Sequence, residues 1–154
     1  MIPQFQTLED AEIELLLKAP ILVCILIAGA DGTIDRKELK EAIAIAQQHR
    51  KTHSVLTPYF KEMAEDFEDK LKIIIQSYPY ESTQRTPLIV EELSRLNLVW
   101  KRLDKDFASA FYQMLLSLAE KVAASSGGLL GMKKVDAAEA RFIKLPMVHP
   151  PTNI

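Results

Sequence analysis

The run Ala28–Lys40, AGADGTIDRKELK, places three carboxylates, Asp31, Asp35 and Glu38, close around Gly32. Oxygen donors converging at such short spacing suit a hard divalent cation such as calcium or magnesium. An EF-hand loop needs side-chain oxygens at loop positions 1, 3 and 5, a Gly at 6 and a gripping Glu at 12. Counting from Gly32 puts Asp31 at 5, Asp35 at 9 and Glu38 at 12, but Ile27 at 1 and Gly29 at 3. Neither of those two has a side-chain oxygen, so an ordinary EF-hand is excluded. Any ion held here needs ligands from a second segment.

The chain offers one. IDRKE at 34–38 and VDAAE at 135–139 share the pattern aliphatic, Asp, two residues, Glu, and each opens a helical stretch. Each also follows an apolar helix that closes in small residues, LIAGADG before the first and KVAASSGG before the second. Two helix–loop–helix units of this kind can pack with their loops adjacent. The candidate ligands are then Asp31, Asp35 and Glu38 with Asp136 and Glu139. The second loop is longer and carries Ser125 in place of Asp31. A second reading stays open: Asp at a helix N-cap with Glu three residues on forms a capping box, with Ile34 and Leu39 as its hydrophobic staple. Capping accounts for four of the five carboxylates and leaves Asp31 without a role.

Other constellations carry less. His49 and His53 have the i, i+4 spacing of paired metal ligands, but no further donor is near in sequence, and histidines at a helix end suit its dipole. SGGLLGMKK resembles a phosphate loop only superficially, since Met132 stands where the Lys is required and no strand precedes it. Cys24 lies in an apolar run, where a thiol is inert. The basic groups in HRKTH and at Lys133–Lys134 are too small and scattered for nucleic acid.

Strand patterning is nearly absent and apolar residues recur at helical spacing, so the elements that must position these residues are all α. With 154 residues, 48% apolar and 26% charged, the chain is expected to be one compact domain of about seven helices. The helical core spans 7–146, and 147–154 forms a Pro-containing tail. A first helix starts near Thr7 and Asp10 and is expected to end or kink before Pro20, which opens a second helix through Ile27 or Ala28. A third covers Arg36–Arg50. A fourth follows Pro58 with Phe60, Met63, Phe67, Leu71, Ile74 and Tyr78 on one face. SYPYESTQRTP reads as a loop, Thr86 and Pro87 as the N-cap and first turn of a fifth helix through Leu103. Its inward stripe is Ile89, Leu93, Leu96 and Trp100. A sixth runs from Lys105 to about Ala124 with Phe111, Leu115, Leu118 and Val122 inward, and a seventh from Asp136 to Leu145.

The apolar run from Ala19 to Ala30 is too short to cross a bilayer and is closed off by Lys18 and Asp31, so it reads as a buried core helix. The N-terminal residues lack a basic region before an apolar one and do not read as a secretory signal. A net charge of −2 gives no electrostatic pull toward nucleic acid or anionic lipid. One cysteine permits no intrachain disulfide, which fits a cytoplasmic compartment.

LLLKAPILVCILIAGADGTIDRKELK together with VAASSGGLLGMKKVDAAEARFIKLP resembles the TerB-like tellurite-resistance family. The two segments cover both ends of the chain, and the middle, Thr52 to Lys105, adds only compatible helices. The resemblance implies a helical module of tellurite resistance and general stress response that engages other proteins. It also implies that acidic residues hold a metal such as calcium, with zinc and magnesium as alternatives. Carried across, the ligands are Asp31, Asp35, Glu38, Asp136 and Glu139. Reducing tellurite would need accessible thiols, a flavin or an iron–sulfur cluster, and no motif for any of these is present, so a non-enzymatic module is expected. The alternative is a pure protein-interaction domain whose acidic residues are helix caps.

Overall fold

Pro20 does not divide the apolar run. In the computed structural model, which describes residues 6–28, 59, 67–79, 81–128 and 142–151, helix α1 runs unbroken over Asp10–Ala28 with Pro20 inside it. A proline in a helix interior has no N–H for the carbonyl four residues back, here that of Leu16. The Tyr59 hydroxyl donates to that carbonyl at 2.5 Å, and both residues are fully buried. A hydroxyl from another part of the chain thus replaces the bond that proline removes. This is why the expected helix boundary is absent.

The second half of α1 is the centre of the core. Ile21 through Ile27 are all buried whatever their position around the helix, as expected of a helix surrounded by others. The buried-helix reading of the apolar run therefore holds for the described part, and among the described residues no helix is long and apolar enough to cross a membrane. Each Leu or Ile so buried contributes about 1.5–3 kcal/mol relative to leaving it in water.

Helix α2, Phe67–Gln76, packs its Ile74 and Ile75 against this core. Helix α3, Ser82–Ser94, starts earlier than the Thr86–Pro87 pair suggests, with Glu81 at the N-cap and Pro87 in its interior. Pro87 and Thr83 are both exposed, so water can satisfy the carbonyl that Pro87 leaves unpaired. The helix expected to reach Leu103 is broken: the Ser94 hydroxyl donates back to the Glu91 carbonyl at 2.6 Å, competing with the helical ladder. After Arg95 the chain re-forms a short helix α4, Leu96–Val99, and a 3-10 turn, Trp100–Arg102. The expected stripe survives the break, since Ile89, Leu93, Leu96 and Trp100 are all buried.

Helix α5, Lys105–Gly128, starts where expected and extends beyond Ala124. Asp104 caps it, its Oδ2 accepting the Phe107 N–H at 3.1 Å. Phe111, Leu115, Leu118 and Val122 face the core as read from the sequence. Among the described residues there are helices and turns and no strand, so the protein is α-helical as the periodicity indicates. The expected helix over Arg36–Arg50 lies outside the described residues. Residues 142–145, the end of the expected seventh helix, form turns instead; the Leu145 N–H reaches the Phe142 carbonyl at 2.8 Å. Pro146 disfavours a right-handed helical residue before it, and Leu145 takes a φ of 48°.

Helices α1 and α5 pack along one another and keep the same level at two points. At their starts, Thr7 Oγ1 donates to the Arg102 carbonyl at 3.1 Å while Arg102 Nη2 donates to the Thr7 carbonyl at 2.8 Å. Further along, Tyr59 bridges Leu16 of α1 to Phe107 and Phe111 of α5, with ring centroids 6.2 and 5.0 Å away, both edge-on. Two helices level at their starts and again farther in run in the same direction. At 1.5 Å per residue both carry the chain on toward the opposite end of the bundle.

Candidate functional site

The five carboxylates singled out by the sequence, Asp31, Asp35, Glu38, Asp136 and Glu139, lie outside the described residues, as do His49 and His53. The structure does describe the helix pair that leads to them. Asp31 follows the end of α1 by three residues, and Asp136 follows the end of α5 by eight. In sequence, each acidic motif follows the end of one helix of this pair. Among the described residues no group of three or more His, Cys, Asp or Glu converges to hold a metal.

The opposite end shows how this chain treats acidic groups near helix starts. Glu12 Oε1 accepts the Glu9 N–H at 2.8 Å, half of a capping box. The Arg102 guanidinium lies 3.4 Å from Glu12 through Nε and 3.9 Å from Glu9 through Nη1. Asp104 is occupied by the α5 cap. Each of these carboxylates thus faces a donor supplied by the protein, and one arginine, just before α5, serves both carboxylates at the start of α1.

A third location lies on the flank of α1. Lys18 Nζ meets Glu92 Oε1 of α3 at 2.6 Å, with both side chains about a fifth exposed. Two shallow pockets flank the pair. One, of about 240 Å³, is lined by Glu14, Leu17, Lys18, Lys70, Ile73 and Ile74. The other, of about 280 Å³, runs over Glu12, Glu14, Lys18, Glu92, Arg95 and Leu98. Near them Tyr78 is pushed up to about 12 by burial and by the Glu92 carboxylate, with Arg95 opposing. Lys18 and Glu92 are engaged with each other here, and the walls mix aliphatic side chains with the charged groups of Glu12, Glu14, Lys70 and Arg95. Such a groove can seat an apolar group; a poised nucleophile is not among its described side chains.

Cys24 behaves as its sequence context indicates. It is fully buried and unbonded to sulfur, and burial pushes its thiol well above the ordinary range, so it is no nucleophile.

The chain matches no protein-family model, no curated protein and no solved structure. The TerB-like resemblance accordingly rests on the two motifs themselves.

Three groups of residues escaped sequence reasoning. Tyr59, at the start of the expected fourth helix, acts through its closeness to Pro20 in space, which helical periodicity does not encode. Arg102 is an ordinary cation at a helix end until Thr7, Glu9 and Glu12 are brought to it. Asn97 and Trp100 carried the one signal that could have been read: an amide and the chain's only Trp three residues apart share a helix face. Both bond the tail, through the Met147 and His149 carbonyls at 2.9 Å each.

Proposed function

We propose that this protein is a non-enzymatic, TerB-like helical module of a stress-response or tellurite-resistance system. It binds one divalent cation, calcium in preference to zinc or magnesium, and engages partner proteins. In this reading Asp31 and Asp35 give single oxygens, Glu38 grips with its carboxylate, and Asp136 and Glu139 complete the set from the second motif. The observation that carries it is the parallel course of α1 and α5, fixed by the Thr7–Arg102 exchange and by Tyr59. Two acidic motifs that leave one end of such a pair have the opportunity to converge on an ion that neither can hold alone.

A second reading has its own observation. Glu12 caps α1 and Asp104 caps α5, so acidic capping is a device this chain uses, and the same two residue types recur at Asp35–Glu38 and Asp136–Glu139. Under it the protein is an interaction domain without metal. Titration calorimetry of chelator-stripped protein with calcium separates the two. Saturable heat that weakens in Asp31→Asn supports the cation module, because capping has no use for Asp31. An absence of heat with calcium, magnesium and zinc leaves the capping reading.

A further inference from the structure

The tail is held by a pattern of bonds suited to recognising a peptide. Asn97 Nδ2 donates to the Met147 carbonyl at 2.9 Å, and Asn97 Oδ1 accepts the His149 N–H at 2.7 Å. One side-chain amide thus takes both main-chain groups that flank Val148. Trp100 Nε1 then donates to the His149 carbonyl at 2.9 Å. His149 precedes Pro150 and Pro151, a context that favours extended or polyproline backbone, whose carbonyls have no partner within their own segment. An indole N–H meeting such a carbonyl beside an aromatic surface is a recognised way to bind proline-containing segments. Val148 and Pro151 are buried as anchors while His149 and Pro150 face outward.

Every bond to Asn97 and Trp100 uses backbone atoms of the tail, so another segment with the same anchors can supply them equally well. The tail also enters this position at a cost. Leu145, fully buried, has a φ of 48° and is the one non-glycine residue with positive φ among those described, a conformation a side chain with a Cβ disfavours. A segment that enters without that bend is spared the strain.

We propose that the face made by Asn97 and Trp100 is a seat for an extended, proline-containing protein segment. The chain's own Met147–Pro151 is the resident occupant, and a partner protein with an aliphatic residue two positions before a Pro-Pro pair exchanges with it. This inference does not rest on the cation reading, since none of the five carboxylates takes part.

The test uses the full chain and a labelled synthetic peptide copying residues 144–154, followed by anisotropy and by the emission of Trp100, the only tryptophan. Wild type binds the peptide with an affinity reduced by the fraction of time its own tail is seated. His149→Pro removes the N–H that Asn97 accepts and so loosens the resident tail; it binds the unaltered peptide more tightly. Val148→Ala, which shrinks the buried anchor and spares the hydrogen bonds, does the same and serves if the first variant misfolds by circular dichroism. Asn97→Ala added to His149→Pro, where the resident tail no longer competes through Asn97, weakens peptide binding about tenfold relative to His149→Pro alone, as expected when one side chain's bonds are lost. Peptide binding by His149→Pro unaffected by the added Asn97→Ala, no binding by any folded variant, or no tightening in either loosened tail overturns the proposal.

Discussion

The carboxylates at the start of the α1–α5 pair and those in the two motifs that follow these helices in sequence differ in what the chain offers to neutralise them. At the starting end Glu9, Glu12 and Asp104 are all answered by the protein: one guanidinium and two backbone N–H groups take up their charge. After α1 and α5 the sequence carries five carboxylates in two motifs, and Asp31 is surplus to capping. Like charges drawn together need a cation. Where Arg102 answers Glu9 and Glu12 at the start of α1, the proposed divalent ion answers both motifs. The contrast makes the function a question of what neutralises the two motifs.

That contrast requires α1 and α5 to keep a common course between their ends, and Tyr59 is the residue that fixes it midway. Tyr59→Phe leaves the Leu16 carbonyl buried without the donor that replaced the proline N–H, and is expected to cost about 1–3 kcal/mol in denaturant unfolding. Adding Pro20→Ala restores a backbone N–H and should recover most of that loss. A Tyr59→Phe protein as stable as wild type would break the comparison at its middle.

Alkaline pH probes the same core. Burial holds Tyr59 and Cys24 in their neutral forms well above their ordinary 10.0 and 9.0, and Tyr78 is raised to about 12. The folded state keeps protons that the unfolded state releases, so the stability they support is full below pH 9 and falls as pH rises toward 12. Of the four tyrosines, Tyr59 should ionise only with unfolding, seen as tyrosinate absorbance that appears together with loss of helical circular dichroism. Smooth ionisation of all four before unfolding would contradict the buried Tyr59–Leu16 bond.

The smallest effect is expected at the starting end itself. Arg102 is half exposed and its ion pairs are long, so Arg102→Ala should cost no more than about 1 kcal/mol, and less in high salt. A larger, salt-independent loss would show that this end does more than balance charge.

How much of this was legible in the sequence follows from where each cause lies. Helical class, the buried run after Lys18, the start of α5 and the inward stripes were readable because periodicity and capping are local. The fate of the prolines was not. Pro20 and Pro87 look alike as helix breakers, yet one is excused by a tyrosine hydroxyl 39 residues away in sequence and the other by exposure to water. The break at Ser94–Arg95 was missed because the Ser94 hydroxyl competes with the ladder only in a geometry the pattern of apolar residues does not encode. Residues 147–150 are turns and irregular backbone, in keeping with the prolines; that Asn97 and Trp100 hold this segment depends on contacts about fifty residues apart. The five candidate metal ligands lie outside the described residues, and the parallel course of α1 and α5 is what the structure adds.

The most direct test of one ion joining two motifs is thermal unfolding in calcium and in chelator, for wild type, Asp31→Asn, Asp136→Asn and the double variant. Calcium at a hundred times its dissociation constant should stabilise wild type by about 2.7 kcal/mol. Each single variant should lose most of that gain, and the double variant hardly more than either. Identical melting of wild type in calcium and chelator, or losses that add as from two separate sites, would contradict the account.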